Sequence, residues 1–198
     1  AIASALPAGI ILALGRRSKM TVIRVLCVAF IELFRSVPLI TILFMATTMF
    51  PLFLPGGMVI DKLGSAIVAV CLFAAAYMAE VVRGGLQAIP KGQYEAAEAV
   101  GLTYWQATVL IVMPQALKFM IPNIAGNFMG LLKDTTLVSI IGLYDLLGMI
   151  NAVSHDPKWI GLHHEPLFTA AVIFFIGCFT MSKYSQHLER TLGAGNNR

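Results

Sequence analysis

Charge is scarce in this chain. Asp, Glu, Lys and Arg together make up 12% of its 198 residues, where a soluble domain carries about 25%. The few charges also cluster, and they leave several uncharged stretches of roughly 18 or more residues, each long enough to cross a bilayer as a helix. A soluble fold is thereby excluded. The short alternating segments of a membrane barrel are missing too. Cysteine numbers 3, and Cys27, Cys71 and Cys178 all lie within apolar runs, so they read as inert thiols and not as a disulfide framework. There is no G-x-x-x-x-G-K-[ST] phosphate loop and no H-E-x-x-H pair. His163, His164 and Glu165, with His155 and Asp156 nearby, read as a solvated outer loop and not as a metal site. No Ser/His/Asp set gathers on one membrane side, so the chain does not read as an enzyme. The net charge of +4 is no nucleic-acid footprint, because the excess sits at membrane boundaries. No charged n-region or small-residue cleavage site precedes the first apolar run, which is unlike a signal peptide.

Apolar residues are plentiful, at 58%, with a mean hydropathy of +0.82. The chain reads as one all-α integral membrane domain over 1–198, with about five transmembrane helices. The first apolar run, 1–14, is short for a span and reads as a truncated helix. The second span covers about 20–50 and contains Pro38, with Pro51, Pro55, Gly56 and Gly57 in the following turn. The third covers about 63–83; the fourth starts near Pro114, reaches Lys133 and continues as a second apolar piece, 135–150. A polar loop follows, and the last span covers about 166–181. The ten methionines, scattered along the spans, read as adaptable packing. Lys and Arg set the orientation. Arg16, Arg17, Lys19 and Arg24 share a side with Arg83, Lys91, Lys183, Arg190 and Arg198, whereas the opposite loops offer Lys62 and Lys158. The segment 84–112 and the C-terminus are expected in the cytoplasm, and the N-terminus outside.

Residues 84–112 are amphipathic and held between spans, as a docking element for a cytoplasmic partner would be. Glu95 and Glu98 share a helix face, and Ala96, Ala97 and Ala99 form helix well while letting another surface approach closely. Gly101 can end this helix in the left-handed conformation. Leu102, Tyr104 and Trp105 then start a second short helix, and Pro114 begins or kinks the next span. An interfacial helix lying on the bilayer is the bland alternative, but such helices favour Lys and Arg on the polar face, and here there is none from 93 to 112. The pattern E-A-A, three residues, Gly101, nine residues, Ile111-Val112-Met113-Pro114 resembles the EAA loop of ABC importer permeases, with Met113 in place of the usual Leu. That resemblance implies that Glu95, Ala96, Ala97, Glu98, Gly101 and Leu102 dock an ATPase subunit.

Ionisable groups at membrane depth are default candidates for function. Glu32 and Arg35 lie one turn apart and are expected to pair, as are Glu80 and Arg83; for both pairs a structural ion pair is the leading reading. Lys133-Asp134-Thr135-Thr136 interrupts an apolar run, and the threonines can satisfy a broken helix backbone, as at transporter binding sites. An amino acid needs charges of both signs or their dipole equivalents, and Tyr77, Glu80, Lys133, Asp134, Thr135 and Thr136 are the candidates for its pathway. Gly126 and Gly130 form a G-x-x-x-G pattern that reads as helix packing, within the chain or across a permease dimer, and not as a solute site; Asn123 and Asn127 read as hydrogen-bonding across helices. The segments 32–39, 77–85 and 133–137 resemble the E-x-x-R-[GS]-x-P-L, Y-x-A-E-x-x-R-G and K-D-[ST]-[ST]-L motifs of amino-acid importer permeases.

Together these segments resemble the permeases of general (polar) L-amino-acid uptake systems, which have a MetI-like fold. The resemblance implies a bacterial inner-membrane location. It also implies a cytoplasmic ABC ATPase dimer that binds ATP and Mg, a second and related permease chain, and a periplasmic or lipoprotein amino-acid-binding protein. No cofactor is expected in this chain. The alternative is an ATP-independent secondary transporter or channel subunit, which would need no docking loop.

Overall fold

The computed structural model describes residues 1–53, 61–157 and 164–192. The turn at Pro55, Gly56 and Gly57, and also Lys158, His163 and Arg198, lie outside them. Every regular element among the described residues is helical.

Helix α1 (Ile2–Arg16) packs along α4 (Lys62–Gln87), the central helix. Small residues make that close approach possible. Ala74, Ala75, Ala76 and Ala79 of α4 are buried, and a Cβ on Gly9 would come within 2.7 Å of the Met78 Cβ. Between helices in lipid the gain comes from such van der Waals packing, not from expelling water. Helix α2 (Thr21–Ser36) leans on both. Helix α7 (Met113–Asp134) joins α4 on another side, where a Cβ on Gly85 would strike Met120. Met78, Val82, Leu86, Val112, Ala116 and Met120 form the core between these helices. The long C-terminal helix α9 (His164–Thr191) lies against α7 and turns Phe168, Phe175 and Ile176 outward.

The expected second span is broken. Val37 is extended (φ −108°, ψ 132°), as the residue before a proline prefers, and the chain re-enters helix at α3 (Leu39–Phe44) after a bend of 105°. The helical path then runs through a π-turn, Met45–Met49, to Phe53. The fourth span also differs from expectation. A helix begins at Tyr104 as α6 (Tyr104–Gln106), widens through a π-helical stretch, Ala107–Val112, and continues straight into α7 and a 3-10 turn, Thr135–Ile141. Pro114 falls in the first turn of α7, where its missing N–H costs little. The second apolar piece therefore continues the span only as far as Ile141. Gly142, at φ +79°, ends the 3-10 turn, and Asp145 starts the separate short helix α8 (Leu146–Ser154) by accepting the Gly148 N–H at 2.8 Å.

Among the described residues, three helices are long and apolar enough to cross a membrane: Lys62–Gln87, Tyr104–Ile141 and His164–Thr191. The bent pair Thr21–Ser36 and Leu39–Phe53 supplies a fourth crossing if it counts as one span. Helix α1 adds a shorter apolar helix of 15 residues.

Candidate functional site

The amphipathic insert forms a helix, a tight turn and a second helix. Helix α5 (Lys91–Ala99) follows Pro90, whose fixed φ suits the turn before a helix. It ends in a Schellman turn: the Leu102 N–H donates to the Ala97 carbonyl at 3.1 Å and the Gly101 N–H to the Glu98 carbonyl at 2.9 Å. Gly101 stands at φ +77°, a conformation that costs glycine little and other residues more. Thr103 opens the second helix with a capping box, its N–H donating to Gln106 Oε1 at 2.9 Å. This geometry leaves Glu95, Ala96, Glu98 and Gly101 exposed, with Leu102 half-buried. Val100 and Trp105 are exposed as well, Trp105 at 62%. Ala97 corrects the expectation: its side chain is 0% exposed because this face of α5 packs against the 107–112 stretch. It cannot touch a partner; it lets α5 lie close to its own span.

Beneath the insert lies a cluster of charges between α1, α2 and α4. Glu80, 14% exposed, is at its centre. One carboxylate oxygen accepts from Arg16 at 2.6 Å, and the other from Arg83 at 2.6 Å, with Arg35 at 3.6 Å. Glu32 does not pair with Arg35. Its partner is Arg16, at 3.4 Å, and Arg35 turns to Glu80 and to the face of Tyr77, 5.6 Å from the ring centroid. A carboxylate held among guanidiniums recovers the cost of leaving water that an isolated charge would not. Arg16 is the member that sequence reading missed. Its link to Glu80 spans 64 positions, and no local spacing announces it.

The pathway candidates separate in space. Tyr77 and Asp134 line one cavity of about 350 Å³, together with Phe73, Asn127, Gly126 and Gly130. A Cβ added to either glycine would meet nothing within 4 Å, so the G-x-x-x-G pair borders open space and is not packed against another helix of this chain. Asn127 bonds within its own helix, to the Asn123 carbonyl at 2.9 Å, and not across helices. Thr135 and Thr136 donate to the carbonyls of Leu132 and Lys133, each at 2.8 Å, and so close the backbone where α7 tightens into the 3-10 turn. Lys133 is exposed. Lys133, Thr135, Thr136 and Glu80 are not among the residues lining the cavity. A second cavity, of about 380 Å³, is bounded by Leu33, Phe34, Met45, Phe50 and other apolar side chains, with Ser65 its only hydroxyl. His155 Nδ1 lies 2.7 Å from the Asn151 carbonyl.

Two long spans joined by a small, exposed helix–turn–helix, above a charged cluster, define a membrane-spanning subunit. Residues 5–193 match the family of binding-protein-dependent transport system inner membrane components, and the chain belongs to that family. It is 55% identical over 194 residues to the inner membrane amino-acid ABC transporter permease protein YhdY of Escherichia coli K12, covering 98% of this chain and 53% of that one. It is 54% identical to the glutamate/glutamine/aspartate/asparagine transport system permease protein BztC of Rhodobacter capsulatus, covering 97% and 44%. The chain thus spans about half the length of these curated relatives. Among solved structures it resembles an amino acid ABC transporter crystallised with histidines, with a TM-score of 0.83 and 29% identity over 96% of this chain and 86% of that one. An inward-facing MetNI methionine ABC transporter shares the fold, with a TM-score of 0.74 at 23% identity over 96% and 86%.

Proposed function

We propose that this chain is the membrane-spanning permease subunit of an ATP-driven amino-acid importer and that it contributes half of the translocation pathway. The observation that carries this reading is the exposed α5 turn. It is a doubly capped projection of small and acidic side chains, shaped to enter a groove and of no use to a transporter without a soluble partner. Family membership and the relatives' printed activities support the same reading. ATP and Mg are bound by a cytoplasmic ABC ATPase dimer docked at Glu95, Ala96, Glu98, Gly101 and Leu102. This chain hydrolyses nothing. A second, related permease chain completes the pathway, and a periplasmic or lipoprotein binding protein delivers the amino acid. The setting is a bacterial inner membrane, with the α5 turn and the C-terminus on the cytoplasmic side.

The Tyr77–Asp134 cavity supports the substrate class. Pockets for small ligands begin at about 300 Å³, and this one offers a carboxylate, a phenol and the Asn127 amide, with the Arg35 guanidinium behind the Tyr77 ring. Groups of both signs suit a zwitterion. The test is reconstitution in liposomes with the ATPase, the partner permease and a loaded binding protein. Wild type should show ATPase activity stimulated by the binding protein, and Glu95→Arg should lose both stimulation and co-purification of the ATPase. A Glu95→Arg variant that still binds and couples would remove the docking role of the turn.

A further inference from the structure

We propose that Arg17 and Tyr94 form a positioning link that passes movement of the docking helix to the charged cluster, with Arg16 as the next member of the chain. The inference rests on the importer reading above and adds to it the route by which docking is felt between the spans. Arg16 and Arg17 are consecutive at the end of α1, where the helix stops. Neighbours on a helix point about 100° apart, so two adjacent guanidiniums at this end reach different elements. Arg16 turns inward to Glu80 at 2.6 Å and Glu32 at 3.4 Å. Arg17 turns to α5: its Nη1 donates to the Tyr94 phenol at 3.2 Å, and its guanidinium lies 5.6 Å from the ring centroid. The Tyr94 hydroxyl in turn donates to the Leu86 carbonyl, in the last turns of α4, at 3.4 Å. Next to Tyr94, Gln93 accepts at Oε1 from Gln115 of α7 at 2.9 Å.

The two residues directly before Glu95 are therefore tied to α1, α4 and α7. A load on the docking face cannot move α5 without moving those ties. Gly9 seats α1 against Met78 of α4 so tightly that these two helices shift together. The cluster then feels the shift at its longest contact, Arg35–Glu80 at 3.6 Å. Arg35 lies beside the Val37–Pro38 bend and over Tyr77, which lines the cavity. Docking and cavity are joined through Tyr94, Arg17, Arg16, Glu80, Arg35 and Tyr77. Spatial continuity alone does not establish coupling; a double-mutant cycle does.

The experiment uses the complete transporter in proteoliposomes, with an equimolar mixture of radiolabelled L-amino acids as the probe. Uptake per ATP hydrolysed, basal ATPase and ATPase co-purification are read for wild type, Arg17→Ala, Tyr94→Phe and the double variant. Arg17→Ala should keep the ATPase and its basal rate while uptake per ATP falls about 3-fold or more. The double variant should be no worse than the lower single, and Arg17→Lys should restore part of the loss. Unchanged uptake per ATP in Arg17→Ala overturns the link, and so do additive losses in the double variant. So does a variant that loses the ATPase in step with uptake, since Arg17 would then only help to build the docking surface. A wild type that assembles but shows no ATP-driven uptake removes the importer reading itself, and the link falls with it.

Discussion

Glu80 is the residue on which most of the charged network depends. Arg16, Arg35 and Arg83 all direct guanidinium nitrogens at its two oxygens, while Glu32 shares Arg16 alone. Removing Glu80 leaves three cations facing one another with a single remaining carboxylate nearby. Breaking a buried pair by deleting one partner costs about 3–5 kcal/mol. Because Arg35 and Arg83 are partly solvated, at 35% and 38%, Glu80→Ala should lie near the lower end, about 3 kcal/mol. Thermal unfolding of the nanodisc-embedded chain measures this, with Lys183→Ala as the control. A Glu80→Ala protein as stable as the control would show that the cluster is held by other forces. At this scale the sequence was partly legible. One-turn spacing places Arg83 beside Glu80, but the same rule wrongly joins Glu32 to Arg35. Helical spacing says which residues share a face and nothing about which other helix arrives there. Here α1 brings Arg16 between Glu32 and Glu80 and takes the place that spacing assigns to Arg35.

Among the elements, the turn after α5 was the most legible, because its geometry is local. Gly101, Thr103 and Gln106 are a stop and a start written within a few residues of one another, and the Schellman turn and capping box are their direct consequence. What could not be read was the inward face of α5. Ala97 looks like Ala96 in sequence, and only the return of the chain along 107–112 buries it. The turn is also where a backbone argument gives a sharp expectation. Valine at position 101 would have to hold φ near +77°, which for a β-branched residue is a true outlier with a cost on the order of 1–3 kcal/mol. Gly101→Val should unwind the turn, and hydrogen exchange at the Gly101-equivalent and Leu102 amides should accelerate while exchange in α4 stays slow. Unchanged protection at these amides would mean that the turn is held by its surroundings and not by its own conformation. Proline carried the opposite lesson. Pro38 lies inside what reads as one apolar run, and the 105° bend arises because Val37 is forced to extend; Pro114, at the start of α7, leaves its helix uninterrupted.

On the scale of the whole molecule, the cavity is lined by residues of α4 and α7, with Gly126 and Gly130 on the α7 side. Read alone, a G-x-x-x-G pattern signals close packing; within this chain it borders open space, with no atom within 4 Å of either added Cβ. That open space separates two effects that a mutation normally confounds. A Cβ at these positions meets no atom of this chain within 4 Å, so a larger side chain should cost the fold little, yet it occupies the volume beside Tyr77 and Asp134. A leucine side chain fills a substantial part of a cavity of about 350 Å³. Gly130→Leu should therefore cut ATP-driven amino-acid uptake by about 10-fold or more, a loss of about 1.4 kcal/mol in the favoured complex. The melting temperature and recovery of the ATPase should be unchanged. Asp134→Ala, which removes charge but enlarges the space, should abolish uptake by the opposite physical change. If Gly130→Leu transports normally, the solute does not pass through this cavity. If Gly130→Leu loses its ATPase partner or its second permease chain together with uptake, the glycine face is an assembly surface, and the open space is filled by a partner helix instead of by substrate.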